Sequence, residues 1–126
     1  MEQYIYKAKC VSVYDADSAT FVVDCGFYIK HEIKTRFMGI DTPEIRTKNA
    51  EEKKLGLEAR DFIRGLILRK QVTIKTYLNK KKQNKKGKFG RYLVDVYYED
   101  HKLNDLLMLK GYAREYHGGK RKKWFA

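Results

Sequence analysis

Apolar and polar residues alternate with a two-residue period at the start of the chain, as half-buried strands require. From Tyr4 to Tyr14, Val11 and Val13 fall on one face and Cys10 on the other, which predicts a first strand. Asp15-Ala-Asp-Ser predicts the turn after it, and the β-rich stretch from Thr20 to Asp24 predicts a second strand running back. Gly26 suits a bend or bulge before a third strand, His31 to Met38, where Ile33, Thr35 and Phe37 alternate with Lys34 and Arg36. Pro43 cannot donate to a sheet ladder, so Asp41-Thr-Pro-Glu sits where that strand opens into a charged surface loop, Ile45 to about Lys54.

The period then lengthens. Leu55, Ala59, Phe62, Ile63, Leu66 and Ile67 recur at three- and four-residue steps, which predicts one amphipathic helix over roughly Glu51 to Arg69. Val72 to Tyr77 and Arg91 to Tyr98 restore the strand period, the latter through Tyr92, Val94, Val96 and Tyr98. Between them, the lysine-rich run from Asn79 to Lys88 predicts a solvated loop. Asp100 turns the chain into a short helix in which Leu103, Leu106 and Leu107 share a face. Five short strands with a long helix between the third and fourth match the element order of an OB-fold, a partly open Greek-key barrel. The predicted fold class is therefore mainly β, a β-barrel with helices.

Composition narrows the function. With 126 residues and 43% hydrophobic positions, the chain fits one globular domain rather than a disordered segment. A net charge of +12 exceeds what solubility needs and points to a polyanionic partner, of which nucleic acid is the commonest. No long basic amphipathic helix favours a membrane surface instead. Cys10 and Cys25 lie in apolar runs, which favours burial as free thiols over a cross-hairpin disulfide, and nothing near them has zinc-ligand spacing. His31, His101 and His117 likewise lack partners at catalytic or metal spacing. The N-terminal stretch lacks the apolar core of a signal peptide, so the expected location is cytoplasmic.

Five residues carry candidate chemistry: Asp17, Arg36, Asp41, Glu44 and Arg91. Singly, Asp17 fits a hairpin turn and Asp41 a loop cap. Together they supply what phosphodiester cleavage needs. Asp17 and Asp41, with a backbone carbonyl near Thr42, offer a hard cation oxygen ligands and leave room for water and phosphate. Glu44, on a loop stiffened by Pro43, is placed to handle a water. Arg36 and Arg91 bring planar guanidiniums that hold phosphate oxygens in pairs.

The motifs Asp15-x-Asp17, Arg36-x4-Asp41-Thr-Pro-Glu44, Gly56-x-Glu-Ala59, Lys88-Phe-Gly-Arg91 and a closing asparagine, leucine and Gly111-x-Ala113 follow one another in a specific order. Their order and spacing resemble the staphylococcal nuclease family from about Val11 to Tyr116. That resemblance implies a five-stranded OB-fold barrel and calcium-dependent cleavage of DNA and RNA to a 5′-hydroxyl and a 3′-phosphate. It implies Ca2+ ligands at Asp17, Asp41 and the Thr42 carbonyl, a water-activating carboxylate at Glu44, and phosphate arginines at Arg36 and Arg91. Lys88, Phe89 and Tyr116 become the substrate-binding positions by the same likeness. The sequence departs from the family where Ala16 replaces a turn glycine, which predicts a strained or re-routed turn with Asp15 beside the ligands. It departs again at Phe89, which replaces a tyrosine and cannot donate to a phosphate, and at the C-terminus.

The expected organisation is a nuclease-like domain over residues 1–117 and a basic tail over 118–126, acting as a monomer on DNA or RNA without a membrane. Gly118-Gly119 and the cations Lys120 to Lys123 predict a mobile tail; Trp124 and Phe125 offer the alternative, an aromatic anchor on the barrel. The competing function is a non-catalytic nucleic-acid-binding module of the same fold, and a third reading is a basic accessory protein for packaging DNA.

Overall fold

The structure, a computed structural model, describes residues 4–77, 86 and 90–125. Strands β1 (Ile5–Asp15), β2 (Ser18–Asp24) and β3 (Lys30–Phe37) form an antiparallel meander. A two-residue strand β4 (Ile40–Asp41) leads to helix α1 (Ala50–Ile67), then β5 (Gln71–Thr76) and β6 (Tyr92–Tyr98). The chain ends with β7 (His101–Lys102), helix α2 (Leu103–Leu109), β8 (Arg114–Glu115) and the tail. In the large sheet the order is β3-β2-β1-β5-β6-β7, and a parallel β3–β6 pairing closes it into the five-strand barrel predicted from element order. Phe21, Phe37, Ile74, Val94 and Val96 fill the barrel, and Ala59, Ile63 and Ile67 of α1 close one side of the same core.

The predicted faces of β3 hold, whereas in β6 Val94, Asp95 and Val96 are buried in succession, because Asp95 packs against the α2 residue Asn104 on the outer side. Strand β1 departs from simple alternation. Register shifts between Cys10 and Ser12, and again between Val13 and Asp15, insert bulges, so Cys10 and Val13 both reach the core while Val11 faces out. Cys10 is buried, as expected, and burial pushes its thiol pKa up to about 11. Cys25 is exposed rather than buried, because β2 ends at Asp24 and the hairpin beyond it stands in solvent. Most of the expected lysine loop, and with it the substrate positions Lys88 and Phe89, lies outside the described residues.

Two features position the site. The Ala16-Asp17 turn joins β1 to β2, with Asp15 paired to Ser18. Ala16 is almost fully buried and lies outside the left-handed region, so it takes the turn without the strain expected from replacing a glycine. On the other side, α1 begins on Asn49, whose side chain accepts the Glu52 backbone N–H at 3.0 Å. A glutamate three residues into a helix commonly reaches back to the cap. Glu52 instead accepts the backbone N–H of Glu44 at 2.8 Å, tying the Pro43-Glu44 loop to the helix start. Gly56 lets that loop sit close, since a Cβ there would lie 2.8 Å from the Pro43 carbonyl oxygen.

Candidate nucleic-acid cleavage site

The turn, the end of β3, the strand β4 and the start of β6 meet at one end of the barrel. Asp17 and Asp41 are both buried there, and Arg36 lies between them. Its Nη2 is 3.6 Å from Asp17 Oδ2 and 3.5 Å from Asp41 Oδ1. The β2–β3 register explains this placement: Ser18 pairs with Arg36, and the Phe37 N–H donates to the Asp17 carbonyl at 2.8 Å. While Phe37 turns into the core, Arg36 takes the opposite face and meets the carboxylates.

Arg91 joins through a hydroxyl. β6 begins at Tyr92, leaving Arg91 at its mouth, and Arg91 Nη1 donates to Ser18 Oγ at 3.1 Å. Ser18 Oγ in turn donates to Asp17 Oδ1 at 3.2 Å. Glu44 stands at the exposed rim, and Tyr116 lays its ring against the Arg36 guanidinium at 5.2 Å. The structure therefore gathers Asp17, Arg36, Asp41, Thr42, Glu44, Arg91 and Tyr116 into one cluster.

The Asp17 carboxyl stays costly to ionise despite the Arg36 guanidinium beside it. Burial holds the Asp17 carboxyl above the usual range; Asp41 pushes the same way, and Arg36 pulls it down. Asp15 behaves alike, raised to about 6 by burial and by the nearby Asp17 and Glu44. One of its carboxylate oxygens is buried without a hydrogen-bond partner.

Does the donor set suit a hard divalent cation? Among the described residues no three acidic, histidine or cysteine side chains converge as metal ligands. The oxygens on offer are the Asp17 and Asp41 carboxylates and the Thr42 carbonyl, all from buried residues. That set fits in kind a cation that takes its remaining ligands from water and phosphate.

Sequence reasoning missed three members of this site. Glu52 reads as an ordinary polar residue in a helical first turn. Arg114 lies on β8, whose short pairing with β4 brings its Nη2 to 3.1 Å from Asp41 Oδ2. Arg121 belongs to the tail, and its Nε lies 3.1 Å from both Asp41 carboxylate oxygens. The one available signal was the arginine among lysines at that position; the contact itself arises from long-range folding. The tail is docked, by the aromatic anchor: Arg114 lies 4.3 Å over the Trp124 ring, and its Nη1 donates to the Lys123 carbonyl at 3.1 Å. A mobile tail is not what the structure shows.

No helix among the described residues is long and apolar enough to cross a membrane. Among curated proteins, none matches this chain. The sequence model of the staphylococcal nuclease homologue family matches residues 34–124, which takes in Arg36, Asp41, Glu44, Arg91 and the docked tail. With most of its length matched and with the closed barrel that carries these residues, the chain belongs to the staphylococcal nuclease homologue family.

Proposed function

We propose that this protein is a calcium-dependent nuclease that hydrolyses phosphodiester bonds of DNA and RNA with little sequence preference. One observation carries the reading: two buried carboxylates, Asp17 and Asp41, share the Arg36 guanidinium at one end of a barrel, with Arg91 tied to Asp17 through Ser18. A protein that only binds nucleic acid gains nothing from buried carboxylates facing the phosphate. The family match supports a nuclease-type function, and the net charge of +12 suits a polyanionic substrate.

Asp17, Asp41 and the Thr42 carbonyl would hold the cation, which when bound supplies a positive centre for a phosphate oxygen and lowers the pKa of its water. Glu44 would orient the attacking water and take its proton; its loop is fixed by Pro43 and by the Glu52 hydrogen bond. Among the described residues Arg36 and Arg91 leave guanidinium donors beyond their present contacts, and these would hold non-bridging oxygens as charge grows on the phosphorus. Tyr116, against Arg36, limits where that guanidinium points. Lys88 and Phe89 are proposed to contact the substrate beside the site.

The rival reading, a binding module without catalysis, draws on one observation. Arg121 satisfies the Asp41 and Glu52 carboxylates from within the chain. The two readings part in a simple assay with supercoiled plasmid and single-stranded oligonucleotide. Cleavage with calcium and none with excess chelator is expected. Full cleavage in excess chelator would sink the cation roles of Asp17 and Asp41, and binding without cleavage under every divalent cation would favour the module.

A further inference from the structure

Arg121 enters the site differently from the other arginines. Its Nε faces both Asp41 oxygens at 3.1 Å, and its Nη2 donates to the Thr42 carbonyl and to Glu52 Oε2, each at 2.9 Å. Nη1 lies 3.5 Å from Glu44 Oε1. Every edge of this guanidinium thus faces a protein acceptor, which leaves it no fork for a phosphate. Among the described residues, by contrast, Arg91 donates to the Ser18 hydroxyl, and the contacts of Arg36 with Ile40 and Asp41 are long, at 3.5 Å. Arg121 therefore fills the place of a bound cation, whereas a phosphate clamp needs open donors.

Asp41 and the Thr42 carbonyl are two of the three donors assigned above to the divalent cation. A guanidinium and a metal ion cannot share them. The tail is built to hold its arginine there. Gly118 and Gly119, at φ of +94° and +84°, let the chain fold back where other residues would be strained. The Tyr116 hydroxyl donates to the Gly119 carbonyl at 2.7 Å, and Arg114 takes the Lys122 and Lys123 carbonyls. Trp124 seals the contact, with its ring on Arg114 and its indole N–H buried.

We propose that the tail is an intramolecular plug: Arg121 occupies the cation cradle in the free chain, and a divalent cation binding to Asp41 and Thr42 expels it. Release also frees Lys120, Lys122 and Lys123 to track the phosphate backbone, which couples cation loading to substrate binding. The inference rests on the calcium reading given above.

Trp124 is the single tryptophan of the chain, so its fluorescence reports the tail directly. Calcium titrated into the intact protein should shift Trp124 emission to longer wavelength as the ring enters water, saturating with the binding isotherm. By calorimetry, Arg121→Gln should bind calcium about tenfold tighter, the factor expected if only a tenth of the intact chain is open at rest. Its Trp124 emission should respond less, since the tail starts partly released. Calcium binding of equal affinity in both proteins, with the wild-type Trp124 emission unmoved at saturation, would overturn the plug and leave the calcium reading standing. If neither protein binds calcium, both fall together. The wild-type fluorescence needs no substitution, so it decides even where Arg121→Gln folds poorly.

Discussion

The two ends of β2 are built to opposite rules. At its start, Ala16, Asp17 and Ser18 are all buried, and the turn is fixed from several directions. The Phe37 N–H binds the Asp17 carbonyl, Arg36 faces its carboxylate, and Arg91 holds the Ser18 hydroxyl. At its finish, Phe27 and Tyr28 stand almost wholly in solvent at 93% and 103% exposure, with φ of 55° and 63°. Among the described residues, local bonds shape that hairpin: Asp24 accepts the Gly26 N–H at 2.9 Å, and the Ile29 N–H returns to the Gly26 carbonyl at 2.9 Å. Burying a carboxylate is costly and persists only where its surroundings compensate, whereas an exposed hairpin tolerates unfavourable dihedrals at modest cost. Long-range constraint has been concentrated at the end where chemistry is proposed.

The sharpest way to break this comparison is at Arg36. Arg36→Lys keeps the charge between Asp17 and Asp41 but loses the planar fork, so cleavage should fall about a hundredfold or more while the melting temperature changes little. Near-normal turnover would remove Arg36 from the phosphate clamp. Next in size is Gly56→Ala, which drives a methyl into the Pro43 and Glu44 carbonyls and should cost about 1–3 kcal/mol by denaturant unfolding. The same substitution should lower cleavage by displacing Glu44; unchanged stability and activity would show that the loop does not depend on this close approach.

The thiols test the two environments directly. Cys25, in the solvent-facing hairpin, should react with an aromatic disulfide reagent at pH 8, whereas Cys10, buried and with its pKa up at about 11, should lag by about tenfold or more until the chain unfolds. Raising the proton affinity of Cys10 keeps it as the unreactive thiol at that pH, so equal labelling rates would place Cys10 outside the core. The smallest effect belongs to the far hairpin. Replacing Phe27 and Tyr28 together by asparagine, which tolerates a positive φ, should leave cleavage unchanged and shift stability by only about 0.5 kcal/mol. A large loss of cleavage would show that the far end also touches substrate.

Much of this was legible in the sequence, for identifiable reasons. The barrel followed from strand period and element order because each strand carries its own alternation, and Arg36 could be placed outward because Thr35 and Phe37 point in. Asp17, Asp41, Glu44 and Arg91 lie in short motifs that the fold gathers. What the sequence did not show depends on pairings too short to leave a period. β4 and β8 have two residues each, yet they bring Arg114 to Asp41. Glu52 carries no mark of its bond to Glu44 in the helical pattern. The bulges of β1 reversed the expected face of Cys10 relative to Val13, since an inserted residue changes phase without changing composition. The tail reads as a loose basic run because charge pattern says nothing about an acceptor 79 positions away, as the Thr42 carbonyl is for Arg121.

The central claim is that the buried carboxylates and their arginines form a cleavage site, with Glu44 handling the water. Glu44→Gln keeps size and hydrogen bonding but cannot take a proton, and Glu44 stands exposed at the rim, so folding should be preserved. Cleavage and affinity measured side by side on one fluorescent single-stranded oligonucleotide, with calcium present, give the most direct test. The account predicts that Glu44→Gln loses nearly all cleavage while binding the oligonucleotide as tightly as the wild type. Wild-type turnover by Glu44→Gln, with binding intact, would contradict it.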